Sequence, residues 1–473
     1  RCAPPPASRA RPWRPMWARF VLASAASVLV LFLLRVGLLR LLDVSDIVGA
    51  PELEANASAS AADVFDFITN RSAQYQAGMA AVKVEDYGRA LRELSECEPQ
   101  DGACLGLLGE MHLVGAGVPR NYTEGARLFA AGAELGDPES QYAMAVLHAN
   151  PTSEEQSDPS RNEGLSVLHM YAASIAGHPG ALMSMAYRHT HGLGVPRACT
   201  TAALNYIEVA RRVADVYSAG LPQAVELVRL GVNSRDKKPM TTSEVDLFVE
   251  IAASGDPNIA AAVGKRYLLG IEGFRQNYQK AAQHLRVAAE KNHGVAMALL
   301  GYMYCLGLGV ARSLDIAYSY FMASAVEDDP LGHNGLGYIY FTGTPVQEQD
   351  FKLAFKHFNS SAYGGSADGM FNLASVYLTG TGSEQSFQRA AFWYTQALDR
   401  GHTPAAYTLG VMHLNGVGTV KNCKIAVDLL KKVCERSNWV SEQLQQAYHF
   451  QRASKPDSAA WLFLRLAEAG PRG

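Results

Sequence analysis

The chain contains 473 residues, of which 48% are hydrophobic and 18% are charged, and its formal net charge is −3. This apolar fraction is sufficient for a buried core and excludes a chain that is disordered throughout. Because there is no basic excess, the chain lacks the electrostatic signature of a nucleic-acid-binding protein. A length of 473 residues corresponds to about three ordinary domains, unless the chain is built from repeats.

Residues 1–50 are predicted to be a targeting segment. An uncharged, largely apolar run covers residues 20–34 and follows four arginines, Arg9, Arg11, Arg14 and Arg19. A basic stretch followed by about fifteen apolar residues is typical of a secretory signal peptide or a short signal anchor. The positive flank predicts that the downstream chain lies on the lumenal or extracellular side. An amphipathic or buried helix is the alternative interpretation.

Residues 51–80 are rich in alanine and serine and are predicted to form a flexible lumenal linker. Acceptor motifs for N-glycosylation occur at four asparagines, Asn56, Asn70, Asn121 and Asn359. The first two fall in this linker. The third follows a glycine loop between two predicted helices, and the fourth is predicted on the helix face opposite the buried residues. All four positions are compatible with glycosylation.

Glycines recur at a nearly constant interval in the C-terminal half. Gly270, Gly307, Gly343, Gly380 and Gly416 are separated by 37, 36, 37 and 36 residues. A period of this size is typical of a helical solenoid, in which each unit buries its apolar face only by stacking on its neighbours. The sequence therefore predicts an all-α, right-handed solenoid of helix pairs.

Two columns of residues recur in the first helix of each predicted pair. The small-residue column consists of Gly109, Ala145, Ala186, Gly264, Gly301, Gly337, Ala374 and Gly410. Three residues later, the ring column consists of His112, His148, His189, Tyr267, Tyr304, Tyr340, Tyr377 and His413. Small residues weaken a helix, so their recurrence predicts that two helix axes approach closely there. The rings are expected to fill the adjoining space on the same face.

Paired glycines follow the first helix in five units, at Gly115 and Gly117, Gly192 and Gly194, Gly307 and Gly309, Gly380 and Gly382, and Gly416 and Gly418. The first glycine of each pair is predicted to end the helix in a left-handed conformation, and the second to permit a tight reversal. Eight units are predicted, at roughly 103–137, 139–177, 181–215, 259–294, 295–330, 331–365, 366–402 and 403–438.

The units fall into two blocks. The N-terminal block covers 81–215, a non-repeat spacer or hinge covers 216–243, and the middle block covers 244–438. Residues 439–473 are expected to begin one further, degenerate helix pair of a chain that continues beyond this sequence. First helices are expected to line concave surfaces for protein recognition, with Arg188, Lys265 and Arg266 exposed there as candidate contacts.

Seven cysteines are present and none forms a CxxC pair, so zinc-knuckle and thioredoxin-like sites are not favoured. Cys423 and Cys434 would lie about 16 Å apart on one helix, too far for a disulfide. Cys97 and Cys104 flank a turn, and their pairing is left open. The histidines of the ring column suit packing without a metal. No nucleophile, phosphate-binding or cofactor motif occurs, so we expect neither a cofactor nor an enzyme.

The repeat pattern over 103–438 resembles the Sel-one-like family, a relative of the tetratricopeptide repeat. A closer resemblance is to its subfamily of lumenal adaptors of the endoplasmic-reticulum ubiquitin ligase, the Hrd-three or Sel-one-L type. The segments that carry it are GLGV at 192–195, ALNY at 203–206, NCKIAV at 422–427 and LRLAEAG at 464–470.

This resemblance implies a glycosylated scaffold of the endoplasmic reticulum lumen or membrane. The implied partners are a membrane-embedded ubiquitin ligase, lumenal lectins and misfolded client proteins, and homo-oligomerisation is left open. Relatives of this subfamily normally continue with another repeat block and a membrane segment, so ligase docking through that block is not assigned here. The alternative is a secreted or cell-surface repeat scaffold, such as a cell-wall synthase activator.

Overall fold

A computed structural model of the protein describes residues 71–97, 101–150, 159–218, 240–344 and 347–470. All of them belong to one compact unit, Pro51–Gly473. Within the described ranges the regular secondary structure is helical and no strand occurs. The predicted all-α solenoid of helix pairs is therefore confirmed.

The helices in chain order are α1 (Ala73–Lys83), α2 (Tyr87–Ser95), α3 (Gly102–Val114), α4 (Tyr122–Glu134), α5 (Pro138–Ala149), α6 (Pro159–Ile175), α7 (Pro179–His191), α8 (Cys199–Ser218), α9 (Thr242–Ala253), α10 (Pro257–Leu269), α11 (Tyr278–Ala289), α12 (Gly294–Leu306), α13 (Leu314–Val326), α14 (Pro330–Thr342), α15 (Phe351–Tyr363), α16 (Ala367–Thr379), α17 (Phe387–Asp399), α18 (Thr403–Asn415), α19 (Cys423–Cys434), α20 (Asn438–Arg452) and α21 (Pro456–Glu468).

Eight helix pairs form the repeats, α3–α4, α5–α6, α7–α8, α10–α11, α12–α13, α14–α15, α16–α17 and α18–α19. The first helices begin at clear caps. Asp137, for example, accepts a hydrogen bond from the backbone nitrogen of Ser140 at 2.8 Å, and Pro138 occupies the first helical turn. Consecutive pairs also pack on one another, which buries the apolar faces.

The glycines that follow the first helices adopt the predicted conformations. Gly307 caps α12 with φ 73° and ψ 33°, and Gly416 caps α18 with φ 73° and ψ 35°, both in the left-handed region. Gly343 differs, because its φ of 73° is combined with a ψ of 158°.

The second glycine of a pair has an additional role that the sequence did not predict. At Gly309, Gly382 and Gly418 it rests on the first residue of the preceding unit's second helix. A Cβ atom at Gly309 would lie 2.6 Å from the carbonyl carbon of Tyr278, and one at Gly382 would collide with the carbonyl oxygen of Phe351. These glycines therefore join consecutive repeats by backbone contact.

The small-residue column lies where the two helices of a pair meet, as predicted. A Cβ atom at Gly301 would lie 2.5 Å from the ring of Phe321, and one at Gly264 would lie 2.6 Å from Leu285. The alanines of the column are completely buried. A large side chain from the second helix thus occupies the space that each glycine of the column leaves.

Rings of the second column stack on rings of the partner helix. Tyr304 stacks on Tyr320 at a centroid distance of 5.7 Å, and Tyr340 stacks on His357 at 5.4 Å. Burial, followed by repulsion from His333 and Lys356, lowers the pKa of His357 to about 4. The expected packing role of this column is confirmed at these positions.

Three of the predicted segments differ from the structure or lie partly or wholly outside the described residues. The predicted linker 51–80 extends too far, because α1 begins at Ala73, where Ser72 caps it and the alanine-rich sequence favours a helix. The spacer 216–243 lies mostly outside the described residues, although α9 already begins at its end. The targeting segment 1–50 is also outside them. Among the described helices, none has the length and apolar character needed to cross a bilayer.

Replacing Gly382 by alanine tests the contact between repeats. Gly401 has a similar φ of 81°, but a Cβ atom there has no neighbour within 4 Å. Gly401→Ala is expected to cost about 1 kcal/mol, because alanine disfavours the left-handed region. Gly382→Ala should cost at least about 2 kcal/mol more, because Phe351 must move. Thermal unfolding followed by circular dichroism measures both, and equal midpoints would contradict the contact.

Acidification is expected to destabilise the repeats through His357. The folded chain keeps this imidazole neutral down to about pH 4, whereas the unfolded chain protonates it below about pH 6.5. Since the unfolded state binds more protons in that window, stability falls as the pH falls from about 6.5 to about 4. His357→Phe should flatten the pH dependence of the thermal midpoint measured by circular dichroism, and an unchanged pH dependence would contradict this role of His357.

Candidate functional site

The first helices of the N-terminal repeats form a surface that we call the N-terminal groove, defined by Glu110 of α3, Glu139 and Tyr142 of α5, and Arg188 of α7. Helix α21 contacts all three of these first helices. A surface made by successive repeats is where helical-repeat proteins usually bind partners. This groove is therefore the candidate functional site.

Four side chains of α21 reach the groove, at Ser458, Trp461, Arg465 and Glu468. Their spacing of three, four and three residues places them on one face of the helix. Ser458 donates a hydrogen bond to the carbonyl oxygen of Val114, the last residue of α3, at 2.7 Å. The helix is therefore anchored along most of its length.

Arg465 is the centre of the site and is only 2% exposed. Its Nη1 donates to Oε2 of Glu110 at 3.2 Å, and its Nη2 donates to Glu139. The hydroxyl of Tyr142 donates to the carbonyl oxygen of Arg465 at 2.5 Å, and the guanidinium lies 5.6 Å from the centre of the Tyr142 ring. One side chain thus ties α21 to two consecutive repeats.

The two carboxylates respond differently to this environment. Burial raises the pKa of Glu110, although Arg465 opposes the shift. Burial acts in the same direction on Glu139, but Arg465 and His178 outweigh it and hold the pKa of that carboxyl well below its usual range. His178 Nε2 lies 2.9 Å from Glu139. Burial disfavours the charged form of Arg465, yet the two glutamates raise its pKa, so the guanidinium stays protonated.

Trp461 lies beside this cluster. Its indole nitrogen donates to Glu110 at 3.0 Å, and its ring centroid lies 6.2 Å from that of Phe129. The residue is 4% exposed. It thus fills an apolar part of the groove while its polar atom shares the carboxylate that Arg465 uses.

The burial of Arg188 differs from the prediction. This residue was predicted to be exposed, but it is buried, because α21 folds over it and Glu468 accepts a hydrogen bond from its Nη2 at 3.2 Å. Lys265 is exposed as expected. Arg266 is half-buried and donates to Glu272 at 2.7 Å.

A second contact comes from α20. Trp439 lies directly over Gly180 at the start of α7, where a Cβ atom would approach the indole to 2.6 Å. The same indole meets the Tyr142 ring edge-on at 5.8 Å. Both helices of the last pair therefore dock on the N-terminal block instead of stacking on α19 as a ninth repeat.

A disulfide joins the N-terminal block to the middle block. Cys199 at the start of α8 pairs with Cys423 at the start of α19, across 224 residues. Helix α8 packs on α18 and α19, so the last N-terminal repeat meets the last repeat of the middle block. The sequence did not predict this pair, because no local pattern links cysteines so far apart. The Cys97–Cys104 pairing left open above does form.

Two described cysteines are free and buried, Cys305 and Cys434. Burial raises the pKa of the Cys305 thiol to about 12. The Cys434 thiol donates to the carbonyl oxygen of Tyr206 at 3.2 Å, and burial raises its pKa too. Neither thiol has the character of a nucleophile.

The remaining predicted sites are separate from the groove. Asn121 is exposed, and its Oδ1 caps α4 by accepting from the nitrogen of Glu124 at 3.0 Å. Asn359 lies in α15 and is half-buried rather than fully outward. Asn56 and Asn70 lie outside the described residues. Metal ligands converge in the described part of the chain at Cys97, Asp101 and Cys104, but the disulfide uses both sulfurs.

The Sel1 repeat model matches residues 103–137, 179–210, 260–293, 294–325, 330–366, 367–402 and 403–438, just over half of the chain. The chain therefore belongs to the Sel1 repeat family. The α5–α6 pair, at 138–175, is an eighth unit outside these matches.

The chain is similar to two known proteins in sequence and to one solved structure in fold. The chain is 28% identical over 226 residues to the "ERAD-associated E3 ubiquitin-protein ligase component HRD3B" of Arabidopsis thaliana, covering 46% of this chain and 35% of that protein. It is 23% identical over 377 residues to an uncharacterized protein of Neisseria meningitidis, covering 74% and 76%. A crystal structure of a Sel1 repeat protein from Oxalobacter formigenes superposes with a TM-score of 0.37 at 19% identity, covering 63% and 98%. The match to HRD3B thus spans about a third of that relative.

Peptide mapping without reduction tests the cysteine assignments. We expect Cys97–Cys104 and Cys199–Cys423 peptides, with Cys305 and Cys434 unmodified by a maleimide until the chain is denatured. Cys2 lies outside the described residues, so the experiment is done with Cys2→Ser. Rapid native labelling of Cys305 or Cys434 would contradict their burial.

Proposed function

We propose that the chain is a non-enzymatic adaptor of an endoplasmic-reticulum ubiquitin ligase complex. In this role it recruits misfolded proteins, glycoproteins among them, together with lumenal lectins, for retrotranslocation and degradation. Its partners are a membrane-embedded ubiquitin ligase, the lectins and the clients, and it does not bind nucleic acid. The similarity to HRD3B, whose name places it in such a ligase, carries this proposal.

The disulfides support a lumenal location. Cys199–Cys423 and Cys97–Cys104 suit an oxidising compartment, since cytosolic proteins rarely keep structural disulfides. The exposed acceptor Asn121 suits the same compartment. Stacked repeats present recognition surfaces, which supports a role without turnover chemistry.

A second candidate is a secreted or cell-surface scaffold that organises another protein complex. The relative from Neisseria meningitidis fits this candidate equally well, and that match covers 74% of this chain and 76% of the bacterial protein. Disulfides and a recognition surface suit this function equally.

Copurification separates the two candidates. The tagged chain, isolated from its own cells in mild detergent, is expected to bring down a ubiquitin ligase and a lectin, identified by mass spectrometry. Recovery of neither, with the chain secreted into the medium, would reject the adaptor and favour the secreted scaffold.

Glycosylation at Asn121 is an independent test of the proposed lumenal location. Asn121→Gln should remove one endoglycosidase-sensitive glycan, seen as a gel shift. Asn415→Gln is the matched control, since Asn415 is also exposed beside a helix end but lies in no acceptor motif. An unchanged gel mobility for Asn121→Gln would contradict the modification at that residue.

A further inference from the structure

Helix α21 does not continue the stack of repeats. In the middle block, each second helix is covered by the first helix of the next pair. The corresponding side of α19 is covered by α8, which the Cys199–Cys423 disulfide holds in place. Helix α21 instead crosses the first helices α3, α5 and α7. This is the arrangement of a helical ligand in a groove.

Charged residues along the groove pair with residues of opposite charge along α21. At one end, Arg120 donates to Asp457 at 2.7 Å. In the centre, Glu110 and Glu139 face Arg465, and at the other end Arg188 donates to Glu468. The groove is thus acidic in the middle and basic at both ends, and its occupant has the opposite order. Such complementarity selects one orientation of a bound helix.

The aromatic anchor fixes the register. Trp461 lies four residues before Arg465 and inserts against Phe129, while its indole nitrogen uses Glu110. Tryptophan and arginine are among the residues that most often dominate the binding energy of protein interfaces. The pattern that fits the groove is therefore an acidic residue, then tryptophan, arginine and a second acidic residue, at spacings of four, four and three.

A cavity adjoins the C-terminal end of α21. Its volume is about 440 Å³, and His148, Ser166, Tyr187 and Arg188 line it together with Glu468.

We propose that the N-terminal groove is a binding site for an amphipathic helix of a partner protein that carries this acid–Trp–Arg–acid pattern, and that α21 occupies the site as a built-in ligand that the partner helix displaces. The short connection 453–455 keeps α21 close to the groove, so its effective concentration is high. A partner must therefore compete with α21. This inference does not depend on the ligase assignment.

A labelled peptide corresponding to residues 455–470 tests the proposal with the full chain. Trp461→Ala combined with Arg465→Ala in the chain removes the two central anchors of α21. We call the chain with both changes the released variant, because α21 is expected to leave the groove in it. The peptide is expected to bind this released variant at least about tenfold more tightly than the wild-type chain, measured by fluorescence anisotropy. Leu464→Ala is the matched control in the same helix, because Leu464 is exposed.

The groove residues are tested in the released variant. Adding Glu110→Gln and Glu139→Gln should weaken peptide binding at least about tenfold, because both carboxylates face the arginine of the ligand. A peptide with its own Arg465→Ala change should bind equally weakly. If the released variant keeps its helical circular dichroism and its Cys199–Cys423 disulfide yet does not bind the peptide, the proposal is wrong.

A second measurement uses the wild-type chain and covers the case in which the released variant unfolds. Hydrogen exchange of residues 456–468 is followed while unlabelled peptide is added to millimolar concentration. Displacement should raise exchange in this segment of the chain, whereas the Arg465→Ala peptide should leave exchange unchanged. No change with the native peptide, or the same change with both peptides, would overturn the proposal.

Discussion

Close contact between the two helices of each repeat is the constraint on which the rest of the structure depends. Gly301 admits the ring of Phe321 at a distance that a methyl group would block, and Gly337 admits Phe358 in the same way. With the pairs this close, the first helices of successive repeats lie side by side and form one surface. The N-terminal groove exists because α3, α5 and α7 are held in that arrangement.

Local periodicity explains what the sequence could predict. The helix pairs, the left-handed caps such as Gly307 and the packing of the small-residue column all follow from contacts within one or two repeats, so each recurs at a fixed interval. The start of α1 was placed too late because alanine-rich sequence suits both a linker and a helix. Ser72 decides between them by capping the helix.

The contacts between segments far apart in the sequence could not be predicted from local periodicity. Arg188 belongs to a repeat whose pattern predicts exposure, and only the arrival of α21 buries it. The Cys199–Cys423 pair likewise joins residues that no repeat interval relates. One signal was available within the repeats. Glu110 directly follows the small-residue column and is the one acidic residue at that position among the eight units; the others are Val146, Tyr187, Lys265, Tyr302, Tyr338, Ser375 and Val411.

The buried arginine determines specificity more than stability. A buried ion pair rarely adds net stability over apolar residues of similar size, because desolvation offsets the attraction. Arg465 between Glu110 and Glu139 therefore contributes mainly by fixing how a helix lies in the groove. The two blocks have a separate covalent link, since the Cys199–Cys423 disulfide joins α8 to α19 independently of α21. The release of α21 proposed above would therefore leave the repeats that form the groove joined to the middle block.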